Sequence, residues 1–242
     1  MAIVNNAPAK KAPAKNRVAQ AEMDIGNYFC RIAQVIDLGL HHKDVWDDAQ
    51  KKFVKDLEKA PVNMLMVTYE FVTEFMKDEQ GNDVEDKPRW LSETFPLYPL
   101  KSDLATSTKR YKAIDPKEEH KGDWGKLGAY PCTVTIAHKK SGKAKIGNVA
   151  PPMKGMAVPE LKNPVKIFDL SAPDLDIFRS LPEWLQEQIK ANLQYDGSPL
   201  QKLLAGGVVG AQDELPQEEV VEEGVGEDMP EIVEEDGNDN PW

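Results

Sequence analysis

Residues 63–76 read NMLMVTYEFVTEFM, and the fold turns on them. Leu65, Val67, Tyr69, Phe71 and Phe75 share one parity, while Thr68, Glu70 and Glu74 share the other. A period of two is that of a β-strand with one face toward a core and one toward water. Next comes KDEQGNDVEDK at 77–87, a polar stretch whose Gly81 and Asn82 predict a hairpin turn. It leads into RWLSETFPLY at 89–98, a strand limited by Pro96, since proline cannot donate to a ladder. Upstream, YFCRIAQVIDLGL at 28–40 is rich in β-branched and aromatic residues and predicts another strand. Downstream, YPCTVTIAH at 130–138 and 144–149 flank the turn KKSGK and complete five strand-like runs.

The segments between the runs differ in kind. In HHKDVWDDAQKKFVKDLEKAP at 41–61, Val45, Phe53, Val54 and Leu57 fit either a short helical stripe or a loop insertion. Between the third and fourth runs, Leu100, Leu104 and Tyr111 predict a helix ended by Pro116. Beyond Pro151 the chain is proline-rich, with one short apolar run, VKIFDL. The best helix follows: Ser180 and Glu183 fit a capping box, Pro182 sits in the first turn, and Leu181, Trp184, Leu185, Ile189 and Leu193 recur at helical spacing up to Gly197. The simplest role of this helix is packing on the sheet, with a homodimer contact as the minority reading.

The order strand, strand, strand, helix, strand, strand predicts a mainly β, α+β domain: an OB-fold-like five-stranded barrel with a C-terminal helical extension over 24–204. Residues 1–20 hold Lys10, Lys11, Lys15 and Arg17, no acid and little apolar content, and are expected to be a disordered basic arm. Residues 205–242 are expected to be a disordered acidic tail, with Gly206, Gly207 and Gly210 as its hinge. Thirteen of the chain's 41 acids lie in 213–242, which holds no Lys, Arg or His. The other 28 acids share residues 1–212 with all 30 Lys and Arg, so the body carries about +2 and the tail −13. The global charge of −11 therefore says little about what the body binds.

Several function classes fall away. No run of ~18 apolar residues is present, so no membrane span is expected, and the apolar stretch at 1–4 is too short for a secretory signal. Cys30 and Cys132 are too few for a disulfide scaffold or a four-cysteine zinc site, and are expected to be buried thiols in a reducing cytosol. His41 and His42 are adjacent, a poor chelate, so Asp44, Asp47 and Asp48 nearby suggest a metal only weakly. No phosphate-binding loop, dinucleotide fingerprint, nucleophile elbow or zinc-protease motif occurs, so no enzyme and no cofactor is expected.

The candidate binding residues are cationic and aromatic. Single-strand binding needs a positive groove for phosphates and aromatic faces for bases, at ~1–3 kcal/mol per stacked base. The hairpin AHKKSGKAK carries Lys139, Lys140, Lys143 and Lys145 and no acid, and Lys109, Arg110 and Lys112 surround Tyr111. Both sets have a plain alternative as solvated surface. Lys87 and Arg89 beside Trp90 form either a stacking platform with a phosphate clamp or an exposed strand start with the indole turned inward. Trp90 and Tyr98, opposite in parity to Leu91, Phe95 and Leu97, are better stacking candidates than Tyr69, Phe71 or Phe95.

The stretches RIAQVIDLG at 31–39, KPRWLSETFPL at 87–97, STKRYKAIDP at 107–116 and LPEWLQEQIKANL at 181–193 resemble a family of tailed-phage single-stranded DNA-binding proteins, over roughly 24–204. The tail, ending GNDNPW, independently resembles the acidic tails of phage and bacterial proteins of that kind, which end in an aromatic or apolar residue. Some relatives end in Phe where this chain has Trp after Pro241. The resemblance implies phage DNA replication, recombination and repair in a host cytoplasm. It implies that Trp242, with Asp236 and Asp239, docks on polymerase or primase-helicase partners, and that 213–239 competes with DNA for the basic groove. The alternative is a phage adaptor or host-inhibitor protein whose tail mimics DNA.

Overall fold

A computed structural model of the chain describes residues 19–206. The expected basic arm and acidic tail lie mostly outside those residues, and Trp242, Asp236 and Asp239 lie wholly outside them. The elements run β1 (Gly26–His41), β2 (Asp44–Asp47), β3 (Lys52–Lys55), β4 (Val62–Lys77), β5 (Asp83–Pro96), α1 (Thr106–Ile114), β6 (Pro131–His138), β7 (Ala144–Ala150), β8 (Lys166–Phe168), α2 (Leu175–Ser180), α3 (Glu183–Lys190) and α4 (Pro199–Leu204). The fold is mainly β with a few short helices. All five strand-like runs are strands, and the expected helix forms around Tyr111, but it starts at Thr106, so Leu100 and Leu104 precede it. The insertion at 41–61 is a β-hairpin, β2–β3, in which Trp46 and Phe53 pair across the strands at 5.2 Å.

The main sheet has the order β5-β4-β1-β6-β7, with short β8 parallel to β1. Long β1 is its spine. One edge pairs antiparallel with β4 over 30–41, and the other is shared between β6, which takes 26–31, and β8, which takes 34–36. A bulge between Ile32 and Gln34 shifts the register of β1 against β4.

Both faces of the sheet are covered, which corrects the expectation of a wet face on 63–76. Leu65, Val67, Tyr69 and Phe71 enter one core with Cys30, Ile32, Phe95, Tyr111, Trp124 and Val134. Met66 belongs to a second core, built by Ile36, Leu38, Phe168 and the helices through Phe178, Leu181, Leu185 and Ile189. Thr68, Glu70 and Val72 are buried too. The alternation was correct, but proline-rich residues 151–165 and the C-terminal helices replace water on the second face. Arg31 pins that strap by donating to the carbonyls of Pro159 (2.7 Å) and Val158 (2.8 Å). The expected capping box does not form: α3 begins after Pro182 with no side-chain cap, and Ser180 Oγ donates instead to Ile177 O.

Cys30 and Cys132 lie directly opposite each other on β1 and β6, as free buried thiols. Burial pushes both up, Cys132 to about 12.

The sheet is not closed, which corrects the expected barrel. No ladder joins β5 to β7. A side chain spans the seam instead. Arg110 on α1 donates from Nε to Glu93 Oε1 (3.0 Å) and from Nη2 to Glu93 Oε2 (3.2 Å) on β5, and to Gly147 O (3.3 Å) and Asn148 Oδ1 (3.4 Å) on β7. Gly147 is the unpaired residue of a bulge, since Thr135 faces Asn148 while Ile136 faces Ile146. A Cβ there would stand 3.2 Å from both Thr135 O and Ala137 Cβ, a tight approach that would push these neighbours by a few tenths of an ångström. Tyr69 Oη completes the cluster by donating to Glu93 Oε1 (2.8 Å).

Burial pushes the Glu93 carboxyl up, and the Arg110 charge and the bonds from Arg110 and Tyr69 pull it only part of the way back. A carboxyl raised in the folded state binds more protons there than in the unfolded chain, so this contribution to stability falls as pH climbs from the ordinary Glu range through the raised value. Arg110→Met leaves that carboxylate buried without its cation, and urea unfolding near neutral pH is expected to show a loss of about 3–5 kcal/mol. The fall with rising pH steepens in that variant and disappears in Arg110→Met/Glu93→Gln. Wild-type stability in Arg110→Met would mean that packing alone holds the seam.

Candidate functional site

The open seam holds a cavity of about 370 Å³. Its walls come from separate parts of the chain: Trp90 and Thr94 from β5, Lys139 and Lys145 from the β6–β7 hairpin, and Trp184 and Gln188 from α3. Cation and indole therefore meet at one recess, assembled by the edge strands that the Arg110 cluster holds together.

Each wall has a local reason. Trp90 faces Glu70 across the β4–β5 pair, on the parity opposite to core Leu91 and Phe95, and is 38 % exposed. Its indole Nε1 donates to Glu70 Oε2 at 2.9 Å. Glu70 itself is fully buried and also accepts from Lys162 N (2.6 Å) and Asn163 Nδ2 (2.8 Å) of the strap. The strap and the ring are thus fixed by one carboxylate. The lysine hairpin is shaped by a tight turn: Lys139 N donates to Lys143 O, and Gly142 adopts φ +81°, a left-handed conformation suited to glycine. Lys140, Lys143 and Lys145 are exposed, and Lys139 is half-buried.

The remaining expected residues fall into two groups. Lys109 and Lys87 are exposed, but they do not line the cavity. Arg89, next to Trp90 on β5 and of the opposite parity, is already engaged: its Nη2 donates to Ala21 O (2.6 Å). It helps secure residues 20–23, which are further tied by Gln20 to the backbone of Lys77, Ala144 N to Glu22, and His138 to Met23 O.

Four of the expected residues are buried or already partnered. Tyr111 has no exposed surface and packs edge-on against Trp124, so it offers no face to a base. Arg110 is 7 % exposed and its donors serve Glu93, Gly147 and Asn148, so it is a seam residue rather than a phosphate clamp. Lys112 is ion-paired with Asp103 (2.7 Å) and Glu118 (3.8 Å). Tyr98 sits beyond β5 with one ring face taken by Lys43, whose Nζ lies 5.3 Å from the ring centroid and donates to the hydroxyl at 2.7 Å.

Sequence reasoning missed Trp184. It was expected in the apolar stripe of its helix, but Leu181, Leu185 and Ile189 alone fill that role at a spacing of four. Trp184 precedes that line by one residue and is 49 % exposed. The strict spacing was the available signal. Among the described residues no three His, Cys, Asp or Glu gather as a metal site, and no helix is long and apolar enough to cross a membrane. His41 and His42 are engaged separately, with Leu38 O and Asp56 O. No protein-family model, curated protein or solved structure matches the chain.

Glu70→Ala removes the acceptor of three donors at once. Hydrogen bonds to a charged group contribute about 1.5–3 kcal/mol each, so a loss of at least about 2 kcal/mol in unfolding free energy is expected. Acrylamide quenching of tryptophan fluorescence should rise as Trp90 loses its anchor. Unchanged stability and quenching would show the ring held by other contacts.

Proposed function

We propose that the chain is a sequence-independent single-stranded DNA-binding protein acting in phage DNA replication and recombination, without enzymatic activity. One observation carries this reading: Trp90, Lys139 and Lys145 share one recess at the open edge of the sheet. Phosphates need cations and unpaired bases need exposed ring faces, and both are supplied there. Arrangement adds support. The first long strand pairs with the second and the fourth, and the helix falls between the third and fourth, as in a partly open five-stranded OB barrel. In that comparison β2–β3 is the loop between strands one and two, and the lysine hairpin is the loop between four and five, the two loops that hold oligonucleotides in such barrels.

DNA lies along the seam with its phosphates on the hairpin lysines. The acidic 213–239 segment occupies the basic surface when DNA is absent and leaves when DNA displaces it. That exchange frees Trp242, with Asp236 and Asp239, for polymerase or primase-helicase partners in the host cytoplasm. Because binding releases counterions, affinity falls steeply with salt.

The test is a salt titration of oligo-dT binding by the full chain and by Lys139→Gln/Lys140→Gln/Lys143→Gln/Lys145→Gln. The log–log slope should lose about 0.7 for each lysine that touches a phosphate. Duplex of the same length should bind more weakly. Removal of 213–242 should tighten binding at low salt, a gain that fades as salt rises. An unchanged slope in the lysine variant, or a preference for duplex, overturns the reading. Intact biological function without those lysines would favour the adaptor alternative.

A further inference from the structure

We infer that the C-terminal helical layer is part of the nucleic-acid site: Trp184 on α3 is a second stacking surface, and the seam cavity takes an unpaired base flanked by Trp90 and Trp184. The inference rests on the single-strand reading and adds to it the residue, the element and the mode of entry.

Packing sets the geometry. Leu181, Leu185 and Ile189 bury one stripe of α3 and its approach against the sheet, which fixes the rotation of the helix. Trp184 and Gln188, four apart, then share one helix face. Both line the cavity, opposite in chain origin to Trp90 and to the hairpin lysines. Trp184 lines the cavity and keeps 49 % of its surface exposed, so part of the indole is open to contact. Here the indole stands at a recess whose other indole is held in place by Glu70.

Size and charge select the occupant. A cavity of about 370 Å³ is at the low end of ligand pockets. Its lining includes the cations Lys139 and Lys145, complementary to a polyanion, while the acid in the lining, Glu93, is paired with Arg110. An aromatic planar group joined to a phosphate chain fits both features, and a peptide of acidic residues fits only the cations. A base inside a duplex is stacked and paired, and must leave the helix at a cost of a few kcal/mol before it enters such a recess. The recess therefore favours unpaired strands by shape, independently of the lysines.

The experiment compares the full chain with Trp184→Ala, Trp184→Phe and Trp90→Ala. Two probes of equal length are used: oligo-dT, and a base-free deoxyribose-phosphate strand. Loss of one stacked base predicts that Trp184→Ala weakens oligo-dT binding about five- to a hundred-fold. Trp184→Phe keeps most of the affinity, Trp90→Ala behaves like Trp184→Ala, and none of the three changes base-free strand binding. If Trp184→Ala binds oligo-dT like the wild type while the lysine variant fails, the inference is overturned and the single-strand reading stands. Equal wild-type affinity for the two probes overturns it as well, because no base is then held. If the wild type binds neither probe, the single-strand reading itself falls. Equal losses on both probes in Trp184→Ala, with Trp184→Phe no better, would assign Trp184 a purely structural role and also overturn the inference.

Discussion

A guanidinium between two strand edges holds the architecture together. Arg110 reaches Glu93 on one side of the seam and Gly147 and Asn148 on the other, so a side chain spans what a backbone ladder would otherwise close. A buried ion pair contributes little net stability compared with well-packed apolar groups, but it fixes geometry, because each charge must keep its partner. That is its use here. A fully laddered seam would have no recess, and an unbridged one would let β5 and β7 drift apart. The cluster keeps the edges at a set distance and leaves room between them for the cavity.

The second organising feature is that the sheet is covered on both sides. One side holds the core around Tyr69, Phe71 and Tyr111, and the other holds the strap and the helices. Buried Glu70 and partly buried Arg31 are charged groups that make this covering specific. Each directs two or more hydrogen bonds to strap backbone or strap side chains, which fixes where residues 158–163 cross. Through Trp90, Glu70 also couples the covered face to the open edge. The recess is thus supported from behind by the same contacts that fasten the strap.

Much of the fold was legible because β-periodicity is strong. The five runs carry β-branched and aromatic residues bounded by Gly, Asn and Lys-rich turns, and all five are strands. The errors have physical reasons. The parity of 63–76 correctly gave a strand, but parity cannot tell water from a second layer, and Thr68 and Glu70 are polar residues that are nonetheless buried. Charge and parity singled out the lysine hairpin and Trp90, of which Trp90, Lys139 and Lys145 line the cavity. Arg110 and Tyr111 were misplaced because a basic-aromatic cluster reads the same whether it faces solvent or a seam. Trp184 was absorbed into a helical stripe that Leu181, Leu185 and Ile189 already satisfied. Closure of a barrel depends on two distant edges meeting, and no local pattern encodes that.

The central position of β1 has a consequence for biosynthesis. Among the described strands it is made first, and its partners follow at β4 near residue 62, β6 near residue 131 and β8 near residue 166. Until β6 and β8 are made, the nascent chain therefore displays a long apolar strand with an unsatisfied edge, the kind of template that invites intermolecular pairing. Slow elongation after β4 would lengthen that exposure, so yield in a recombinant host should depend on translation speed and holding chaperones more than on the stability of the finished domain.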